Sequence, residues 1–269
     1  DGDLGPRHVT AHFGVIAVPG YRIVAPLPVI PCAAVVAQAR ERLAMLRDAV
    51  AAPVGLENLA LAFSVDDVRR QGDLLDAILV EPTDVLLLDV HNLYCQAVNL
   101  AIDPLELLAS YPLARVRELH VAGGRVEHHA GVPIRRDTHD DDVPTAVFDL
   151  AAAALARCPH VEVVVLERLG HTGPGPHLLA DAQRLHALLQ GTTLPPHAPP
   201  RVAHAVPARS EITVDDLLAL ARRLVDLARV DRTPPALASE PLLADAPLPL
   251  VHALLDAEAR WATPTPEDA

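Results

Sequence analysis

VLLLDVHN, residues 85–92, sets the pattern for the whole chain: an apolar run with no polar alternation that ends abruptly in an aspartate. A strand that is apolar on both faces belongs in a parallel sheet covered on both sides. Three further segments share the design, APVGLEN (52–58), VRELHVAGG (116–124) and VEVVVLERLG (161–170), each passing from an ionisable residue into a loop. Helix-like spacing over Val65–Leu79 and Pro104–Ser110 separates the first three, so the order is strand, helix, strand, helix. Upstream, HVTAHFGVI (8–16) and YRIVAP (21–26) read as extended, and a helix is expected over 33–51. This alternation gives an α/β fold with a parallel sheet, and the expected architecture is a (β/α) barrel.

The residues closing the four strands are Glu57, Asp89, His120 and Glu167, at intervals of 32, 31 and 47 residues. An interval of roughly 30 residues is one βα unit. The longest interval holds a polar insertion, 124–144. The expected division is a barrel over 1–192, a proline-rich linker over 193–209 containing LPPHAPP, and a helical C-terminal region over 210–269. Clustered prolines exclude a helix or a central strand from the linker. Beyond it, Thr213 and the pair Asp215–Asp216 precede an amphipathic series from Leu217 to Leu227, and a second helix is expected near 248–261. This region is read as a small helical module or an arm packed on the barrel or on a partner.

Composition narrows the function. The chain is half hydrophobic and only 3% aromatic, so aliphatic side chains must fill its core. A formal charge of −13 repels phosphate backbones, which excludes nucleic acid as a partner. Every basic residue is arginine. Cys32, Cys95 and Cys158 are isolated and odd in number, with neither zinc-finger spacing nor a disulfide framework, and a reducing cytoplasm suits them. Apolar runs stop short of the ~18–20 residues of a membrane span, so no membrane partner is expected.

In parallel α/β folds the carboxyl ends of the strands meet on one face, where active sites are built. Glu57, Asp89, His120 and Glu167 would be delivered there together. Each alone is more often a cap or an ion-pair partner. Capping, however, gives no reason for four consecutive strands to end in metal-ligand types. Mixed carboxylate and imidazole donors suit iron, manganese or zinc. The insertion adds Asp137 and His139, two residues apart and so expected on one side of an extended loop. His8 and His12, four apart in an extended segment, should face the same way. Cys95 reads as a buried filler, with no neighbouring charge to activate it.

The ordered series LEN (56–58), LLLDVHNLYCQAVN (86–99), ELHVAGG (118–124), DTHDDDVP (137–144) and LER (166–168) resembles the DUF692 family, the multinuclear non-heme iron-dependent oxidative enzymes, over roughly residues 8–190. The resemblance implies a TIM-like barrel. It implies two or three non-heme irons, dioxygen as co-substrate, and oxidation of cysteine or another residue in a ribosomally made precursor peptide. A separate recognition protein is a further partner in such systems. Carried over by position, the implied metal ligands are His12, Glu57, Asp89, His120, Asp137, His139 and Glu167. His91 stands where the family has an asparagine, and with Asn92 it is a candidate catalytic residue; Gly124 replaces a final histidine of its motif. The family's first strands, with an early histidine of its metal cluster, have no counterpart before residue 1, so the sequence is expected to continue upstream. Two other readings stay open, a divalent-metal sugar isomerase or hydrolase like xylose isomerase and a degenerate barrel that binds peptide.

Overall fold

In a computed structural model the described residues are 5–18, 21–169, 176–206, 211–229 and 241–261. In chain order the elements are β1 (Val9–His12), β2 (Val15–Val18), β3 (Tyr21–Leu27), α1 (Ala33–Ala49), β4 (Val54–Glu57), α2 (Val65–Ile78), β5 (Val85–Asp89), α3 (Val90–Asn99), α4 (Pro104–Ser110), β6 (Val116–Ala122), β7 (Val126–His129), β8 (Val132–Arg135), α5 (Thr145–Leu155), β9 (Val163–Glu167), α6 (Pro176–Gln190), α7 (Val214–Arg229) and α8 (Leu248–Trp261).

Five strands form one sheet in the order β1-β4-β5-β6-β9, and every pairing in it is parallel. This is the sheet of a TIM-like α/β fold. Strands β4 and β5 are buried at every position, as their unbroken apolar sequence requires. The helices terminate by ordinary chemistry. Ser64 accepts from the Asp67 amide to cap α2, and Asp103 accepts from the Leu105 amide to cap α4, with Pro104 in the first turn.

Register decides what the sheet presents. His12 pairs with Glu57, Glu57 with Leu87, Asp89 with His120, and Ala122 with Glu167. Between Leu86 and Leu87 the β5–β6 register shifts by one: Leu86 pairs with Val116 but Leu87 pairs with Glu118, leaving Arg117 as the extra residue. A one-residue slip exchanges the two faces of a strand. Without this irregularity Asp89 would oppose Leu119, and His120 would point away from the other strand-end residues.

The sheet is strongly curled. His8 Nε2 lies 2.5 Å from Glu118 Oε2, although β1 and β6 are three places apart. In a flat sheet three inter-strand spacings would separate them by about 14 Å. The interior of the curl therefore brings His8 and His12 to the same face as Glu118 and His120, as the four-residue spacing predicts.

Three features differ from the sequence reading. VLLLDVHN does not run into a loop: the strand stops at Asp89 and α3 starts at Val90, which puts His91 and Asn92 in its first turn. The insertion contains an antiparallel hairpin, β7–β8. The described part of the proline-rich segment carries no helix or strand, as expected, yet it is pinned rather than free. Arg201 pairs with Asp73 and Asp76 on α2, and the Val202 amide donates to Ala109 at 3.0 Å. Residues 207–210 and 230–240 of the expected linker and C-terminal region lie outside the described residues.

The C-terminal helices pack on the rest of the chain, α7 against β2 and α1, and α8 against β3 and the β7–β8 hairpin. Thr213 and Asp216 form a reciprocal capping pair at the start of α7: the Asp216 amide donates to the threonine hydroxyl, and the Thr213 amide donates to Asp216. Arg136 donates to the Ala253 carbonyl, tying α8 to the residue next to Asp137. Among the described residues no helix is long and apolar enough to cross a membrane.

Candidate metal centre

Glu57 and Asp89 reach the same mouth because their strands are clamped together at their carboxyl ends. The Asn58 side chain accepts from the Asp89 amide at 2.8 Å and donates to the Asp89 carbonyl at 2.9 Å. Asn92 donates from its own amide group to the Asn58 carbonyl at 3.0 Å. The two asparagines of LEN and DVHN therefore serve as a clamp between neighbouring strand ends. For Asn92 the polar contact seen is with backbone, and its side-chain oxygen is buried without a hydrogen-bond partner.

Asp89 combines the two roles that sequence could not separate. Its Oδ1 accepts from the Asn92 amide at 2.8 Å and caps α3, while Oδ2 is buried with no hydrogen-bond partner. A buried carboxylate oxygen without a donor is costly unless a cation or a proton meets it.

His120 on β6 sits between two carboxylates. Its Nδ1 is 2.9 Å from Glu167 Oε2 and its Nε2 is 2.8 Å from Glu118 Oε1. From the insertion, Asp137 Oδ1 lies 2.6 Å from His139 Nε2 and 2.8 Å from His91 Nδ1, and His139 Nδ1 lies 3.2 Å from Glu167 Oε1. Neither ring nitrogen of His139 has hydrogen-bond geometry to these oxygens. The loop is held by Asn99, which accepts from the Arg135 amide and donates to its carbonyl, and by the Leu169 amide donating to the His139 carbonyl at 2.7 Å. Asp137 and His139 do meet, but not through an extended loop, because His139 has φ of 53°. Histidine is among the residues that enter this left-handed region more readily than most.

These residues form three overlapping groups, Glu57–Asp89–His120, Asp89–His139–Glu167 and His91–Asp137–His139, in each of which the ligand-type atoms lie within 4.8 Å of one another. Asp89 and His139 each belong to two groups. His12 belongs to none: its side chain is 55% exposed at the rim, with Nε2 3.5 Å from Glu57 Oε2. His91 is fully buried and faces Asp137. Gly124 has no side chain for a plain reason, since a Cβ there would fall 2.1 Å from the Arg136 carbonyl and 2.8 Å from His91 Cε1. Cys95 lies 3.8 Å from His91 Nε2, and burial pushes its thiol up, so it remains a buried filler.

The electrostatics are those of a site short of positive charge. Burial raises Glu57 to about 7, against the pull of His120. Burial, and then the charge on Asp137, raise Asp89 to about 7. For His120 burial works downward, but the bonds to Glu167 and Glu118 outweigh it and lift the imidazole to about 9. His139 is likewise lowered by burial and raised further by Asp137 and Glu167, to about 11. Burial works upward on Asp137, yet His139 and His91 bring it down to about 2. The bond from His120 and the neighbouring His139 imidazole hold Glu167 well below the usual carboxylate range. Protons on carboxylates and imidazoles balance the charge of this cluster, a role that divalent cations would take over on binding.

The family model described as "RiPP precursor modification enzyme MbnB/TglH/ChrH" matches residues 2–190, a stretch containing every residue of the three groups. The chain belongs to this MbnB/TglH/ChrH family. Curated relatives of the family member described here are UPF0276 proteins. One from Caulobacter vibrioides (strain NA1000 / CB15N) is 32% identical over 179 residues, covering 66% of this chain and 62% of the relative. One from Pseudomonas aeruginosa (strain UCBPP-PA14) is 31% identical over 148 residues, 55% of this chain and 51% of the relative. One from Bordetella bronchiseptica is 43% identical over 105 residues, 39% and 36% of the two chains. The match to the Caulobacter relative thus spans 62% of its length.

Sequence reasoning missed two participants, Asn58 and Glu118, and named His8 without giving it a role in the site. Asn58 acts through backbone groups of the next strand, and its role depends on a register that only the fold supplies. Glu118 was within reach, because it precedes His120 by two residues, a spacing that puts both on one face of a strand.

Proposed function

We propose that this chain carries the metal site of an oxidative enzyme that modifies a residue, in the first place cysteine, of a ribosomally synthesised precursor peptide. Two or three irons are the resident metal and dioxygen is the co-substrate. The supporting observation is the overlap of three donor groups through Asp89 and His139 in a member of a RiPP precursor modification family. Shared ligands suit neighbouring ions. The buried, unbonded Asp89 Oδ2 fits a cation better than a hydrogen-bond network. Carboxylate and imidazole donors without thiolate suit iron.

Iron bound here would bring one-electron redox chemistry and open coordination positions for dioxygen and a substrate thiol. Glu57, Asp89, His120 and Glu167 would hold the metals on the sheet, and Asp137 and His139 would close the site from the insertion. His91 would orient Asp137 from behind. His12, exposed at the rim, stands where a peptide side chain would enter. A net charge of −13 favours a neutral or basic peptide, or a recognition protein with a basic docking face. A sugar isomerase of this architecture would need a cation to polarise a carbonyl beside its metals, and this chain has no lysine for that.

Elemental analysis with Mössbauer spectroscopy of protein purified without oxygen, followed by exposure to dioxygen with a cysteine-containing peptide encoded beside the gene, tests the proposal. Two or three irons per chain and an oxidative mass change in the peptide are expected. Stoichiometric magnesium or manganese without iron would contradict it in favour of isomerisation. Protein that binds peptide but no metal would leave only a binding role.

A further inference from the structure

We propose that Glu118, braced by His8, is a positioning residue that turns His120 so that Nδ1, and not Nε2, faces the metal. The inference rests on the metal-binding part of the preceding proposal, not on the reaction.

Histidine can ligate through either ring nitrogen, and the choice is fixed by what the other nitrogen bonds. His120 Nε2 lies 2.8 Å from Glu118 Oε1, two residues back along the strand from the carboxyl-end cluster. Its Nδ1 lies 2.9 Å from Glu167 Oε2, a residue that groups with Asp89 and His139. Glu118 is in turn held from its other oxygen, since Oε2 is 2.5 Å from His8 Nε2. All three side chains are largely buried, with 8%, 17% and 14% of the His8, Glu118 and His120 side chains exposed. A carboxylate bonded through each oxygen to a different side chain has little rotational freedom. It can therefore fix both the orientation and the tautomer of the imidazole it accepts from.

The arrangement also explains why an acidic residue lies inside the curl below the strand ends. Glu118 pairs in the sheet with Leu87 and Val163, whose aliphatic side chains give it no polar partner. Its partners are His120 above and His8 across the interior. A simple ion pair joining β1 to β6 would use His8 and Glu118 alone and would leave the His120 tautomer undetermined.

The test uses the full chain loaded with zinc, a diamagnetic probe that accepts the same donors. In protein with ¹⁵N-labelled histidine, NMR should show His120 metal-bound at Nδ1 and protonated at Nε2. Competition against a chelator should show zinc affinity about 10–100-fold weaker in Glu118→Leu, as for loss of other outer partners of metal-bound histidine. Glu118→Gln, which keeps an acceptor oxygen, should recover most of that loss. Should the leucine variant not fold, His8→Asn carries the test, because it leaves Glu118 in place but unbraced; a several-fold loss of affinity is expected. Zinc bound through Nε2 in the unaltered chain, or unchanged affinity in Glu118→Leu or His8→Asn, would overturn the positioning role. An unaltered chain that takes up no metal would instead overturn the metal reading itself.

Discussion

Replacement of His120 by alanine should abolish iron loading and, in the same protein, lower the stability of the metal-free form. His120 belongs to the group with Glu57 and Asp89 and touches Glu167, so its loss removes an imidazole from the middle of the cluster. The effect on affinity should exceed the roughly 100-fold that loss of an outer partner costs. Stability falls for a separate reason. The imidazole is raised from its ordinary 6.5 to about 9, so it is charged at pH 7 and offsets the surrounding carboxylates. That shift is worth about 2 kcal/mol at neutral pH, present below pH 6.5 and lost as pH rises through 9. Iron content by elemental analysis and urea denaturation in chelator read the two effects independently. Unchanged iron loading would count decisively against His120 as a ligand.

Substitution of Asp89 by asparagine should also cause a severe loss of metal, but with the opposite effect on stability, a more stable metal-free protein. The amide can keep the oxygen that accepts from Asn92 and caps α3, while the buried negative charge disappears. Asp89 rises from 3.8, and Glu57 from 4.5, to about 7. A carboxyl whose folded value is raised contributes stability that is whole below its unfolded value and lost as pH climbs through the folded one. The metal-free protein should therefore weaken from about pH 4 to 7 on account of these two groups. His120 and His139 extend the decline toward 9 and 11. Asp137 acts at the other end: its contribution is present above 3.8 and lost as pH falls through about 2. Thermal unfolding in chelator between pH 5.5 and 8.5 should show the melting temperature falling with pH, and Asp89→Asn should flatten that fall, gaining on the order of 2 kcal/mol at pH 8. Saturating metal should flatten it in the unaltered chain, because cations replace the protons. Identical pH profiles for Asp89→Asn and the unaltered chain in chelator would contradict this account.

Much of this was legible before any coordinates. Unbroken apolar runs such as Val85–Leu88 identify central parallel strands because only a sheet covered on both faces buries every side chain. The strand-end residues followed from the same observation, since the carboxyl ends of parallel strands share one face. The hairpin β7–β8 was not legible, because its turn at Ala130 and Gly131 puts an alanine at φ of 51°, where asparagine, aspartate or glycine is the usual signal. Nor was the start of α3 at Val90, where a β-branched residue follows a strand with no intervening turn chemistry. The bulge at Arg117 leaves no mark in composition, yet it alone brings His120 to face Asp89. Ligand types could be read from sequence, then, but their grouping could not. Sequence places Glu57, Asp89, His120 and Glu167 together at one face; in the fold Asp89 joins Glu57 and His120 and also links Glu167 to His139.

Diffraction from iron-loaded crystals at the iron absorption edge asks most directly whether these side chains share ions. The account predicts two or three anomalous peaks at the carboxyl ends of β4, β5, β6 and β9, each about 2 Å from oxygens or imidazole nitrogens of Glu57, Asp89, His120, Asp137, His139 or Glu167. Peaks only elsewhere on the protein, or none within coordination distance of His120 and Asp89, would contradict it.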